Sequence, residues 1–317
     1  MSNTSTKSAD LTPRPLRTIS AHDDWHIGIA YLPGEKRLVT CSHLHGTVKI
    51  WNAENGEQEG MEMEHGGGVE GFAVTKDGKR MLSGDKHKLL RVWDLETHQP
   101  IAEWDGHEAN ISCIATSPDD QLVASGDHAG MILIREMNLK EDGRIKHAIE
   151  TGLHHVHSIC FSPDGTKLAS GHFDNTIQVF DVETCDELIL GQIEGHTHWV
   201  YSVVWSLDGS RLFTVIHAIT LSPDGTKLAS ASSDRTVRFW GTDSGDPIGE
   251  PLQHEGGVQA ITFSPSGEFV ACADLDGKVS IWRVPWWNDS KKVIAYVQLS
   301  GRAVSHAHCH SRHINRC

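Results

Sequence analysis

Short apolar stretches recur along the chain, each too brief for a helix and each closed by a turn signal. Val200-Tyr201-Ser202-Val203-Val204-Trp205 is one such run, and Ser206-Leu207-Asp208-Gly209 follows it. Asp and Gly tolerate the positive φ of tight hairpins, so this tetrapeptide predicts a turn. In the neighbouring segment a second short strand covers Lys167–Ser170, a turn falls at Phe173-Asp174-Asn175, and a third strand covers Thr176–Phe180. A weaker fourth is expected near Glu187–Ile193. Four strands of five or six residues fill a unit of about 42 residues and leave no room for a helix.

These units repeat. The pattern Ser-Pro-Asp-Gly-x-x-Leu-Ala-Ser runs from Ser162 to Ser170 and from Ser222 to Ser230, with looser copies at Ser117–Ser125 and Ser264–Cys272. Degenerate copies begin at Leu32, Thr75 and Ser206. Successive copies are 43, 42, 45, 44, 16 and 42 residues apart. A period of this size marks stacked modules, because one four-stranded sheet cannot bury both of its faces alone. Stacking in a ring leaves only short edges exposed.

Composition narrows the function. The chain has 317 residues and a formal charge of −14, which argues against a nucleic-acid backbone as partner. No apolar run approaches a spanning helix and residues 1–14 lack a signal-peptide core, so a soluble protein, cytoplasmic and/or nuclear and not secreted, is expected. The seven cysteines (Cys41, Cys113, Cys160, Cys185, Cys272, Cys309 and Cys317) are odd in number and scattered, as reduced thiols are.

Two anchors recur in phase with the period. One is Gly106-His107 and Gly195-His196, with His22, His65 and His254 in the same place. The other is the strand ending Ile50-Trp51-Asn52, Val92-Trp93-Asp94, Val179-Phe180-Asp181, Phe239-Trp240-Gly241 and Ile281-Trp282-Arg283. On these residues the chain resembles the WD-repeat β-propeller family over about residues 15–284. The resemblance implies an all-β propeller and, within each blade, a hydrogen-bonded set of the repeat His, a Ser or Thr, a turn Asp and the third-strand Trp. By register the turn Asp is Asp174, Asp234 and Asp276, with His45, His87 and Ala129 in its place in the first three copies. The last copy carries His254, Asp276 and Trp282 but has Cys272 where Ser or Thr is expected, so no copy holds the whole set. Ser, His and Asp that recur once per period are expected to be structural, since a catalytic group is needed once. His65-Gly66-Gly67-Gly68 resembles an esterase oxyanion loop, but no G-x-S-x-G turn accompanies it. No catalytic residue, cofactor or phosphate loop is expected.

The period breaks between Ser206 and Ser222. The fifth copy keeps two strands and loses its third and fourth, so the reading is six complete blades plus a truncated fifth repeat. Removing two strands preserves chain direction into the next blade. The alternatives are six whole blades with residues 196–216 displaced as a hairpin, or a chain that derives from an incomplete gene model or an exon-skipped transcript. Ring closure is expected from Leu16-Arg17-Thr18-Ile19, with Val293–Leu299 as competitor. Residues 1–14 are read as a disordered segment and 285–317 as a tail. That tail contains His306, His308, Cys309, His310 and His313, whose crowded spacing does not suit a metal module.

The resemblance also implies a binding face at one end of the ring. Mapped by register, its residues are Trp25, Glu70, Lys86, His128, His155, His157, Phe173, Trp199, Tyr201, His217 and Gln259. Exposed Trp and Tyr anchor interfaces at low entropic cost. The expected function is a non-enzymatic scaffold for a protein or peptide. A truncated relative with little activity, or a hydrolase in the central channel, are the alternatives; membrane, nucleic acid and small-molecule substrate are not expected.

Overall fold

The computed structural model describes residues 13–23, 27–139, 143–152, 155–186, 200–215 and 217–287. Within them the chain forms 25 strands and no α-helix. The first strand, β1 (Arg17–Ser20), precedes a sheet of β2 (Ile27–Tyr31), β3 (Arg37–Ser42), β4 (Thr47–Asn52) and β5 (Gln58–Glu64). The second sheet is β6 (Val69–Val74), β7 (Arg80–Asp85), β8 (Leu90–Asp94) and β9 (Gln99–Trp104). The third is β10 (Ile111–Thr116), β11 (Leu122–Asp127), β12 (Met131–Glu136) and β13 (Ile145–Glu150). The fourth has three described strands, β14 (Val156–Phe161), β15 (Lys167–His172) and β16 (Ile177–Asp181). The fifth is a hairpin of β17 (Ser202–Trp205) and β18 (Leu212–Val215). The sixth is β19 (Ala218–Leu221), β20 (Lys227–Ala231), β21 (Thr236–Gly241) and β22 (Leu252–Gln253).

The seventh sheet joins the two ends of the repeat array. Its inner strands are β23 (Val258–Phe263), β24 (Phe269–Asp274) and β25 (Lys278–Arg283), and β1 pairs antiparallel with β25. The register runs from Arg17 opposite Ile281 to Ser20 opposite Lys278. The N-terminal strand is therefore the one that closes the ring. The competitor Val293–Leu299, the fourth-strand candidate Glu187–Ile193 and the His-rich tail lie outside the described residues. Residues Val284–Cys317 form a separate unit, described only at 284–287, where the Trp287 amide donates to the Val284 carbonyl.

The first strand of each sheet lies innermost and abuts the first strand of the next: β2, β6, β10, β14, β17, β19, β23 and back to β2. The fifth repeat is thus not displaced, and its hairpin stands in the ring between β14 and β19. Apolar residues fill the wedges between sheets. Val39, Ile50 and Met63 of the first pack on Met81 and Trp93 of the second, and Ile29 and Trp51 pack on Ala271 and Ile281 of the seventh. Contact across these wedges is close. A Cβ on Gly71 would come within 2.8 Å of the Cys113 backbone, so only glycine fits there.

The repeated turn has a common chemistry. In Ser162-Pro163-Asp164-Gly165 the Ser162 hydroxyl donates to Asp164 Oδ1 at 2.5 Å and accepts the Lys167 amide at 2.9 Å. Gly165 sits at φ +73° and its amide closes the turn on Ser162. Ser206 and Ser222 repeat both hydroxyl bonds. No helix among the described residues is long and apolar enough to cross a membrane.

Candidate functional site

The polar sets inside the sheets decide which polar residues are left for binding. In the first sheet Thr40 Oγ1 lies 2.8 Å from His22 Nε2 and accepts the Trp51 indole N–H at 2.8 Å. In the second, Trp93 donates to Ser83 Oγ at 2.7 Å, and His65 Nδ1 lies 3.2 Å from Asp85 Oδ2. Burial pushes the His65 imidazole below its ordinary pKa against the opposing pull of Asp85. In the third, His107 sits 2.9 Å from Asp127 Oδ2 and 2.7 Å from Ser125 Oγ.

The carboxylate partner is not where the register placed it. Asp174 and Asp234 each take the amide and hydroxyl of the Thr two residues on, inside their own turns. The Asp276 amide donates to Asp274. In the second and third sheets the partner stands two positions earlier, at the end of the second strand. There one oxygen of Asp85 caps the His87 and Leu89 amides while the other faces the imidazole. All four residue types come together in the second sheet, at His65, Ser83, Asp85 and Trp93, but there His65 Nε2 lies 3.3 Å from the Ser83 carbonyl, so the bonded set that the resemblance implies is only partly formed. The missed signal was Ser-Gly-Asp at 83–85 and 125–127, in phase with the repeat.

The fourth sheet inverts the arrangement. His172, at the position of Asp85, brings its Nε2 to 2.7 Å from Ser170 Oγ. In the sixth, Trp240 donates to Ser230 Oγ at 2.9 Å. In the seventh, His254 lies 5.0 Å from the Trp282 ring, and neither His254 Nε2 nor Trp282 Nε1 has a hydrogen-bond partner among the described residues. Cys272 stands where the other sheets carry the bridging hydroxyl. His196 lies outside the described residues.

The innermost strands surround a cavity of about 580 Å³. Of the face residues expected from register, it gathers Glu70, His128, His155, His157, Tyr201, His217 and Gln259. Most of them lie at the start of, or just before, the first strand of a sheet, as Glu70, His155, His157, Tyr201, His217 and Gln259 do, whereas His128 reaches the cavity from the turn after β11. Phe173 stacks on His157 at 5.7 Å and is 41% exposed. Lys86 does not line the cavity, but its charge acts on Glu70. Trp25 and Trp199 lie outside the described residues.

One wall of this mouth is a continuous arc of rings. His128 and His155 have centroids 3.7 Å apart, His155 and His157 4.0 Å, and His157 and Tyr201 4.5 Å. His217 extends the arc, stacked at 6.2 Å from Tyr201. Burial, followed by the neighbouring imidazoles His157 and His128, pushes His155 down to about 3. Burial, with His128 and His172, pushes His157 to about 4. Both are neutral at neutral pH. At the end of the arc Glu70 Oε2 lies 2.7 Å from His128 Nε2. Burial alone would raise Glu70, but the hydrogen bond and charge of His128, with His43 and Lys86, hold it below the usual carboxylate range. Among the described residues no group of three or more His, Cys, Asp or Glu could hold a metal ion.

Comparison with known proteins agrees with this architecture. A family model described as "WD domain, G-beta repeat" matches residues 13–52, 58–94, 98–135, 148–181, 188–215, 214–241 and 245–283. The chain is 26% identical over 208 residues to WD repeat-containing protein SL1-17 of Schistosoma mansoni, covering 65% of this chain and 62% of that protein. It is 25% identical over 229 residues to anaphase-promoting complex subunit cdc20 of Dictyostelium discoideum, covering 70% of this chain and 42% of that one. In each case it spans less than two thirds of the relative's length. A chain in the crystal structure of a mitotic checkpoint complex superposes with a TM-score of 0.75 at 19% identity, covering 90% of this chain and 99% of that one. Seven tandem matches over most of the chain, on a ring of antiparallel sheets, make this protein a member of the WD domain, G-beta repeat family.

Proposed function

We propose that the chain is a non-enzymatic interaction platform that binds a protein or peptide at the mouth of its ring. The observation that carries the reading is the arc of rings around the central cavity. Phe173 and Tyr201 are 41% and 38% exposed there. Large half-exposed rings around a concave site are typical interface anchors. The repeated Ser, His and Asp groups are engaged within individual sheets, where a hydroxyl such as Ser83 Oγ accepts an indole N–H. Relatives named as parts of an anaphase-promoting complex and a mitotic checkpoint complex support a role in assemblies.

Affinity capture from a native lysate tests this. Replacing Phe173 and Tyr201 by Ala is expected to remove the captured partners while leaving the melting temperature nearly unchanged. A matching fall in melting temperature would assign both rings to the fold instead.

A further inference from the structure

His128 in the mouth has two contacts that together describe a ligand. Its ring packs against His155, tilted by 41° with centroids 3.7 Å apart, and its Nε2 meets Glu70 Oε2 at 2.7 Å. A flat group thus packs at a tilt against an aromatic ring and points a nitrogen edge at a carboxylate. The side chain that does both jobs best is a guanidinium, which is planar, stacks on rings and bonds carboxylates through a fork of donors.

We propose that His128 is a built-in stand-in for an arginine side chain of the partner. The incoming guanidinium takes its place against His155 and pairs with Glu70. The inference rests on the mouth being the binding face. His128 can leave, because its side chain is 36% exposed and it lies in the turn between β11 and β12 and not in a strand. Glu70 stays, held in β6 with its side chain 11% exposed. The walls suit a cation, since His155 and His157 are neutral and offer faces without repulsion. Glu70 is the acidic residue lining the cavity, and the chain's charge of −14 attracts a basic partner over longer range. The groups opposing a cation are Lys86 and His43, both of which act on Glu70.

The test is calorimetry at neutral pH with an acetylated, amidated Gly-Arg-Gly peptide, and the same peptide carrying citrulline in place of arginine. The arginine peptide should bind and the citrulline peptide should bind at least about tenfold more weakly, as a charged hydrogen bond requires. Glu70→Gln should weaken the arginine peptide about tenfold or more. His128→Ala should tighten it about fivefold by removing the internal competitor, an effect that a merely structural His128 would not produce. Equal binding of the two peptides, no binding of either, or no gain on His128→Ala would overturn the proposal. If Phe173→Ala and Tyr201→Ala still abolish partner capture while Glu70→Gln does not, the face remains a docking site and only its arginine specificity falls.

Discussion

The second sheet and the fifth stand in the same ring but are held by different bonds. The second has four strands and ties its own members together, with the Trp93 indole on the Ser83 hydroxyl and His65 on the Ser83 carbonyl. The fifth is a hairpin and leans on its neighbours. Trp205 donates across the wedge to the Cys160 carbonyl at 3.2 Å, and the Val203 amide donates to Ser158 Oγ at 3.1 Å. On the other side Arg211 reaches the Thr242 carbonyl at 2.7 Å and Asp243 at 2.6 Å. Val200, Val203 and Trp205 also pack on Ala169, Ile177 and Val179 of the fourth sheet. A blade can therefore lose half of its strands and keep its place, provided its first strand still wedges between its neighbours.

The sharpest test of that contrast is a pair of truncations. Trp93→Ala and Trp205→Ala each remove a buried indole that also donates a hydrogen bond, and each should cost about 3–5 kcal/mol in urea unfolding. Similar costs would show that the half blade is as fully part of the cooperative unit as a whole one. A cost below about 1 kcal/mol for Trp205→Ala would make the hairpin a passenger.

Acid should act on the whole sheets and on the mouth, not on the half blade, whose strands carry no histidine. His65 in the second sheet, His254 in the seventh, and His155 and His157 in the mouth all have imidazoles pushed below their ordinary value by burial. The unfolded chain takes up these protons near pH 6.5. The folded chain resists until about pH 4 at His254 and His157 and about 3 at His155. In that window the unfolded state binds more protons, so stability is complete above about pH 6.5 and falls as the pH drops. Asp274, pushed up by burial, opposes the trend with a single group. The melting temperature should decline steadily from pH 7 to 4, and a flat profile would show these rings to be hydrated.

How much of this was legible differs between backbone and side chains. The turn tetrapeptide and the apolar runs report backbone, so the sheets and the short fifth repeat follow from spacing, while the closing strand, found at Arg17–Ser20, was expected from the family resemblance. Spacing does not report reach. Asp85 and His87 are two positions apart on a turning chain, and a side chain at either position could face His65; only the fold shows that Asp85 does. The mouth was legible only through the family resemblance, which implied positions at the start of each first strand and just before each turn Asp, His128 being one of the latter. That His128 turns inward onto Glu70 and His155 was not, since that depends on the rotamer of a residue in a turn.

The seventh sheet offers a smaller test, because it differs from the first at the bridging position. Thr40 supplies a hydroxyl to both His22 and Trp51, whereas Cys272 supplies none to His254 and Trp282. Cys272→Ser should restore the bridge and stabilise the protein by about 1 kcal/mol. A loss of stability would mean that the thiol is worth more as an apolar filler than the hydroxyl is as a bridge.

The smallest expected effect is also the one that separates local from global stability. Arg211 is largely exposed, with 46% of its side chain accessible, and its bonds to Thr242 and Asp243 lie at the rim. An exposed ion pair adds little to overall stability, so Arg211→Ala should leave the unfolding midpoint almost unchanged. Its consequence should instead be confined to the hairpin, which lacks the third and fourth strands that brace β7 in the second sheet. Amide hydrogen exchange in β17 and β18 should quicken, while β6 and β7 keep their protection. Equal acceleration in both sheets would mean that the rim bond holds the ring as a whole, and the half blade would no longer count as a locally fastened piece.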